Sequence, residues 1–467
     1  MGRNHIAALL ALLLIGGFRP ALAQEADMLR GTQDPLAPLE EADPTLRGTE
    51  DIDTQQGLAI PAPPPPPQLT VGPAPEESEP PLRRKGAEEE PFAPLGVRTG
   101  GLILYPALEL GGVVTDNVRQ TKRDRKSDIG LRVAPALRVE SDWVRHALRL
   151  SANGDFTFYE TYDDFNRTNL DAEAGLRLDV RRSTTLDLTA NYSLTQTSSS
   201  DIEVPNNAVG QRQDEEAGVL AALKHRFNRL EATLTTGASW LFYGDVDLAG
   251  GGTEDNSDRD YVEPSAGLRL GYEASPAFTP FIEAVYAPRI HHKEVDRSGL
   301  RRDSDGGYAR AGTAFNVSEI WSGEAALRVD VRDYEDPTLD TEALVGFDAN
   351  VSWRPTRLTT VTLTGKTGLE ESSLPGVSAV RSYEAGLDVT HALRENIILS
   401  AGTGFAFADY PGKSDDEWQA DANLALSYIL RRNIEFVLGY EFTHLESKAP
   451  DDGYTENRVT AGMRFRL

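Results

Sequence analysis

Apolar and polar residues alternate one by one from Val459 to the end of the chain. Val459, Ala461, Met463, Phe465 and Leu467 share one side of an extended strand, and Thr460, Gly462, Arg464 and Arg466 share the other. One face is wholly apolar and ends on a large apolar residue, so lipid or a second sheet must cover it. The same period of two recurs upstream. Leu131, Val133, Pro135, Leu137 and Val139 alternate with Arg132, Ala134, Ala136, Arg138 and Glu140, and Leu170 to Val180 alternate with Asp171 to Arg181. Ala325, Leu327, Val329 and Val331 alternate with Glu324, Ala326, Arg328, Asp330 and Arg332, and the run from Trp418 to Tyr428 alternates with Gln419, Asp421, Asn423, Ala425 and Ser427.

Such runs predict strands near residues 101–114, 128–140, 146–159, 167–181, 184–196, 213–226, 229–243, 260–273, 277–291, 306–317, 320–334, 341–354, 358–369, 382–393, 396–408, 417–430, 433–445 and 457–467. Each is long enough for a tilted membrane crossing of about 9 to 11 residues. The connections alternate long and short. Residues 115–127, 197–212, 244–259, 292–305, 370–381 and 446–456 are long and hydrophilic, and between them come tight turns such as Arg182-Ser183, Phe227-Asn228, Arg394-Glu395 and Arg431-Arg432. A soluble sandwich has no reason to place its long loops on every other connection, whereas an outer-membrane barrel does. The fold expected is all-β, a transmembrane antiparallel up-and-down β-barrel of about 18 strands, within a range of 16 to 20, with lipid on the apolar face. Pro106, Pro135, Pro264, Pro280 and Pro288 fall inside these strands and are expected to mark bulges or strand ends, because each removes a ladder hydrogen bond. Tyr159, Trp240, Phe242, Tyr243, Tyr261, Tyr308, Tyr334, Tyr383, Trp418, Tyr440 and Phe442 lie near the strand ends that meet the long loops, the expected place of an interfacial girdle. Trp143, Trp321 and Trp353 lie at the other ends.

The N-terminal part reads differently. Arg3, the Ala- and Leu-rich run Ile6 to Phe18 and the small-x-small site Ala21-Leu22-Ala23 make residues 1–23 a secretory signal peptide cleaved between Ala23 and Gln24. Residues 24–99 carry clustered prolines (Pro61, Pro63 to Pro67) and acidic runs such as Glu88 to Glu90. Their 15 acidic against 6 basic residues leave a charge of −9. Such a segment is expected to be a disordered periplasmic tail, either a solvated spacer or a tether to peptidoglycan or a periplasmic protein. Residues 100–467 form the barrel. The expected location is the outer membrane of a Gram-negative bacterium, with lipid and the barrel-assembly machinery as partners.

Composition adds exclusions. A net charge of −26 argues against nucleic acid as a partner, and with no cysteine there is neither a thiolate metal site nor a lipoprotein anchor. Mean hydropathy is −0.40. No catalytic, cofactor or metal site is expected, and no enzyme activity. His291 and His292 with Glu294 and Asp296 form the one candidate cluster, at a loop, and adjacent strand residues point to opposite faces. Gly250-Gly251-Gly252 lies in an acidic loop, where it reads as a flexible tip.

The opening of the barrel, Tyr105-Pro106-Ala107-Leu108-Glu109-Leu110-Gly111-Gly112 followed by Thr115-Asp116-Asn117-Val118, resembles the start of the family called beta-barrel porin 2. The resemblance covers residues 100–467 and implies a secreted barrel of paired strands running to the C-terminus. The polar face would then line a lumen: Arg132, Arg138, Arg149, Arg177, Arg269, Arg328 and Arg332 against Glu109, Asp155, Asp171, Glu173, Glu263, Glu283, Asp330, Asp348, Glu384, Asp388, Asp421 and Glu441. Carboxylates outnumber cations there, so a porin-like, weakly cation-preferring channel for small hydrophilic solutes is expected. If the charges instead pair across strands, they cancel. The alternative role is a structural or interaction barrel serving surface polysaccharide export or envelope anchoring.

Overall fold

The computed structural model describes residues 92–467 except 206, 319, 373, 375, 413–415 and 448–452. The signal peptide and most of the tail lie outside the described residues. Eighteen strands make the wall. They are β1 (Leu102–Thr115), β2 (Asp128–Ser141), β3 (Ala147–Tyr159), β4 (Arg167–Arg181), β5 (Thr184–Thr197), β6 (Arg212–Phe227), β7 (Leu230–Tyr243), β8 (Tyr261–Tyr272) and β9 (Phe278–Tyr286). The second half comprises β10 (Ser304–Val317), β11 (Trp321–Tyr334), β12 (Glu342–Thr356), β13 (Thr359–Glu370), β14 (Val380–Arg394), β15 (Ile397–Asp409), β16 (Glu417–Arg431), β17 (Ile434–Ser447) and β18 (Gly453–Arg466). Each pairs antiparallel with the next, and β1 pairs with β18 from Ala107↔Arg466 to Thr115↔Arg458, which closes the barrel.

Alternation decides which face turns where. Leu327 is 72% exposed and Val345 74%, while on the opposite parity Arg328 and Glu342 are each 5% exposed. A sheet that hides its charges and displays its leucines and valines is solvated by hydrocarbon on the outside, where a closed barrel leaves no unpaired edge. The Thr-Asp-Asn-Val segment after β1 serves that closure. Asp116 accepts from the backbone N–H and side-chain amide of Asn457, both at 2.7 Å, and fully buried Asn117 donates to the carbonyls of Thr121 (2.9 Å) and Thr455 (3.0 Å).

Four of the short turns share one device: the register shifts beside them between Asp179 and Arg181, Trp353 and Thr356, Ala392 and Arg394, and Ile429 and Arg431. At the 228–229 turn Asn228 takes a φ of 60°, which asparagine tolerates better than most residues. The prolines fall at irregularities in part. The β2–β3 ladder skips Ala134 and Pro135, and β9 stops at Tyr286, before Pro288, to resume as the short strand Ile290–His291. Pro106, Pro264 and Pro280 instead sit in register within β1, β8 and β9.

The aromatic girdle is only partly as the sequence suggested. Tyr159, Tyr243, Tyr261, Tyr308 and Tyr334 are all buried, and they turn inward because they share the parity of the charged face. The Arg328 guanidinium lies 3.8 Å from the Tyr308 ring and that of Arg259 4.2 Å from the Tyr243 ring. At the short-turn end Trp143, Trp321 and Trp353 are exposed, the latter two stacked at 5.4 Å.

Candidate functional site

The interior charges fall into two groups. The first is paired. Arg132 on β2 holds Asp155 of β3 at 2.6 Å and also Glu109 of β1, and Arg464 on β18 reaches the same Glu109 at 2.8 Å. One four-residue chain therefore spans the closing seam. A second network covers β8 to β12: Arg269 bonds Glu324 (2.6 Å), Arg310 bonds Glu283 (2.9 Å), Arg328 bonds Asp330 (2.7 Å), and both Arg310 and Arg328 approach Asp348. Nearer the long loops, Glu263 accepts from Arg289 (2.7 Å) and Arg332 (3.2 Å). Arg458 pairs with Glu441, Arg138 with Glu140 and Arg177 with Asp179.

The second group is unpaired. Among the described residues no cation lies within ion-pair distance of Asp171, Glu173, Glu216, Glu384, Asp388 or Asp421; Arg149 and Lys366 on this face form no ion pair either, though Lys366 acts electrostatically on Glu216 and Glu384 from beyond that distance. These carboxylates sit on β4, β6, β14 and β16. Asp388 and Asp421 lean over Gly402 and Gly404 of the intervening β15, where any Cβ would fall 2.6 Å from their oxygens. The glycines leave room for the two acids to share one stretch of wall.

The loop between β5 and β6, residues 198–211, leaves the wall and crosses the interior. Its Ile202 N–H donates to Glu417 of β16 (3.4 Å), and Glu203 accepts from the Ser372 hydroxyl (2.7 Å) and pairs with Arg259 (3.3 Å). The amide of Gln211 donates to Gln120 (2.8 Å), and the Ser200 hydroxyl donates to the Gln120 carbonyl. Ile202 also packs on an apolar cluster of Val377, Val380 and Tyr410 from the facing wall. The same loop joins the next one through a small sheet of Ala208–Val209, Val246–Leu248 and Thr253–Glu254. The long-loop mouth is thus bridged from side to side, a feature that loop composition did not reveal.

A further clamp ties residues 244–260 to residues 287–303. Arg297 bonds Asp258 (2.9 Å), Glu254 and the side chain of Asn256 (2.7 Å). Burial pushes the Asp258 carboxyl up, yet the hydrogen bonds and charge of Arg297 more than offset this and hold it below the usual 3.8. Asp255, bonded by the Ser257 hydroxyl and N–H and by Lys293, is held at about 2. Both carboxyls are depressed in the folded state, so their contribution is present above the ordinary aspartate value and lost as pH falls through the folded one. Amide protection in these two loops is expected to hold at neutral pH and to fall between about pH 4 and pH 2 while the wall stays protected. Hydrogen exchange in detergent micelles measures it, and loops equally protected at both extremes would contradict the clamp.

The histidine cluster does not converge. His291 is buried, with its backbone N–H and ring both on Asp303 (2.6 and 3.3 Å), whereas His292 is exposed on the other side beside Phe242. Glu294 pairs with Arg301 and Asp296 with Arg302.

No curated relative matches the chain at a significant level. Among solved structures it is similar to OccAB4 of Acinetobacter baumannii (11% identity, 78% of this chain and 98% of that one, TM-score 0.39). It is also similar to the siderophore receptor PiuA of the same organism (11%, 79% and 82%, TM-score 0.42) and to OpdL of Pseudomonas aeruginosa (15%, 79% and 100%, TM-score 0.39). The family model described as Putative beta-barrel porin 2 matches residues 90–467, and with the closed barrel in view the chain belongs to that family of outer-membrane barrels.

Proposed function

We propose that this barrel is a channel for small hydrophilic solutes with a weak preference for cations, its long-loop end facing outward and its N-terminal tail lying in the periplasm. The observation that carries the preference is the set of interior carboxylates without ion-pair partners: Asp171, Glu173, Glu216, Glu384, Asp388 and Asp421. Paired charges contribute little net field at the axis, since each arginine of the second network sits against a carboxylate. What remains is negative and presents itself to the interior from two parts of the wall, and such groups raise the local concentration of cations.

The test is the reversal potential of the purified protein in planar bilayers across a potassium chloride gradient. A potential of the cation-selective sign is expected, moving toward the anion side in a Glu384→Gln, Asp388→Asn, Asp421→Asn triple variant. A wild-type potential of the anion-selective sign would overturn the preference. Absence of any conductance would overturn the channel.

A further inference from the structure

The seam between β12 and β13 is closed along only part of its length. The ladder runs from Thr356↔Thr359 through Trp353↔Val361 to Ala349↔Gly365 and stops. Both strands continue past that point. β12 stays paired with β11 as far as Arg332↔Glu342, and β13 stays paired with β14 as far as Glu370↔Val380. The two free edges have separated, and β13 has passed to the inside. Leu369 of β13 packs in one cluster with Tyr334 and Leu344, which belong to the inner faces of β11 and β12. One hydroxyl of β13 still reaches the backbone of β12. The Thr367 hydroxyl takes a hydrogen bond from the Phe347 N–H (2.9 Å) and gives one to the Phe347 carbonyl (3.2 Å). It approaches β12 so closely that a Cβ on Gly346 would lie 1.8 Å from it, which is why the position is glycine.

The sequence of β13 is nevertheless written for the wall. Val361, Leu363, Thr367 and Leu369 keep the parity that faces hydrocarbon, and Thr362, Thr364, Lys366 and Glu370 keep the polar one, without a slip where the ladder ends. Extending the observed register by four residues puts Leu369 beside Val345, facing outward, and Lys366 beside Asp348, facing inward. Val345 is paired with Val329 of β11 but lies beyond the end of the β12–β13 ladder, and it is 74% exposed. A strand bearing a complete lipid-facing pattern, with an open edge waiting at the matching register, has two places to sit.

We propose that Lys366–Glu370 is a gate with two positions: tucked inside the barrel, as here, where it narrows the long-loop mouth, and zipped onto β12 in the wall, where it widens it. The inner position is held by the Leu369 cluster and by Arg289, which donates to the Leu369 carbonyl (2.9 Å) and pairs with Glu371 (3.2 Å). The wall position gains ladder hydrogen bonds in a medium where unpaired backbone groups are costly. Moving one strand edge outward enlarges the mouth by up to one inter-strand spacing, about 4.8 Å. The gate rests on the channel reading, but its two positions do not.

The chain has no cysteine, so introduced pairs are unambiguous. Leu344→Cys with Leu369→Cys joins residues that touch only in the tucked position, and Val345→Cys with Leu369→Cys joins residues that meet only in the zipped one. In liposomes under mild oxidation both pairs are expected to form intramolecular disulfides. The second is expected to raise single-channel conductance above its reduced state, and the first is expected not to. A Val345/Leu369 pair that stays reduced under conditions that fully oxidise Leu344/Leu369 would overturn the second position, as would its oxidation with no change in conductance. If no variant conducts in either redox state, the channel reading fails, while the cross-linking pattern still decides between one position and two.

Discussion

Replacing Arg132 with methionine is expected to cost the folded barrel about 3–5 kcal/mol, the usual effect of removing one partner from a buried ion pair. Arg132 is 6% exposed and its guanidinium is the cation that holds Asp155, at 2.6 Å, while also bonding Glu109. Methionine fills much the same volume, so the loss is electrostatic rather than a cavity. Glu109 keeps Arg464 (2.8 Å), but Asp155 is left buried without a counter-charge. The Arg132→Met, Asp155→Asn double variant should therefore recover most of the loss, because removing both charges is far less harmful than stranding one. Urea unfolding in detergent, followed by tryptophan fluorescence, checks both variants. A single variant within experimental error of the parent would mean that water entering the lumen screens Asp155 and that the seam owes its strength to the ladder alone.

Much of the wall was legible in the sequence because a strand in hydrocarbon must show its pattern openly. The period of two in Leu170 to Val180 or Trp418 to Tyr428 needs no tertiary knowledge to read, and β4 falls at Arg167–Arg181, where it was expected. The same parity rule could have placed Tyr243 and Tyr261 inside, since they alternate in step with Thr233, Thr235 and Glu263. What could not be read is anything that depends on the barrel being closed. That Arg464 near the C-terminus meets Glu109 in β1 follows only from the β1–β18 register. Whether interior charges cancel depends on such neighbours. Glu283 and Arg310, directly opposite in adjacent strands, pair, whereas Asp388 and Asp421 face each other across glycines. Direction of loops was equally hidden. Residues 198–211 carry Ile202, Val204 and Val209 where residues 116–127 are mostly charged, yet composition does not say that Ile202 and Val204 turn inward until the facing wall supplies Val377, Val380 and Tyr410.

That inward loop makes the second large effect an expected gain. Deleting Ser200–Gly210 leaves Ser198, Ser199 and Gln211 to join β5 to β6, whose last residues Thr197 and Arg212 are directly opposite, and a three-residue connection closes such a hairpin without strain. Conductance should rise, since the segment removed is the one that bridges to Glu417, Ser372 and Gln120 on other parts of the mouth. Stability should change much less than in the Arg132 variant, because every wall ladder survives. The loss to expect is local: Arg259, buried against Tyr243, gives up Glu203 at 3.3 Å. Glu203→Gln separates the two effects, for it weakens that pair while leaving the loop in place, and so should change conductance little. Single-channel recordings of the three proteins decide the matter. If the deletion conducts no better than the parent, the limiting width is set by other residues of the wall, such as Glu216, Lys366 and Glu384, and the loop is a cover rather than a constriction.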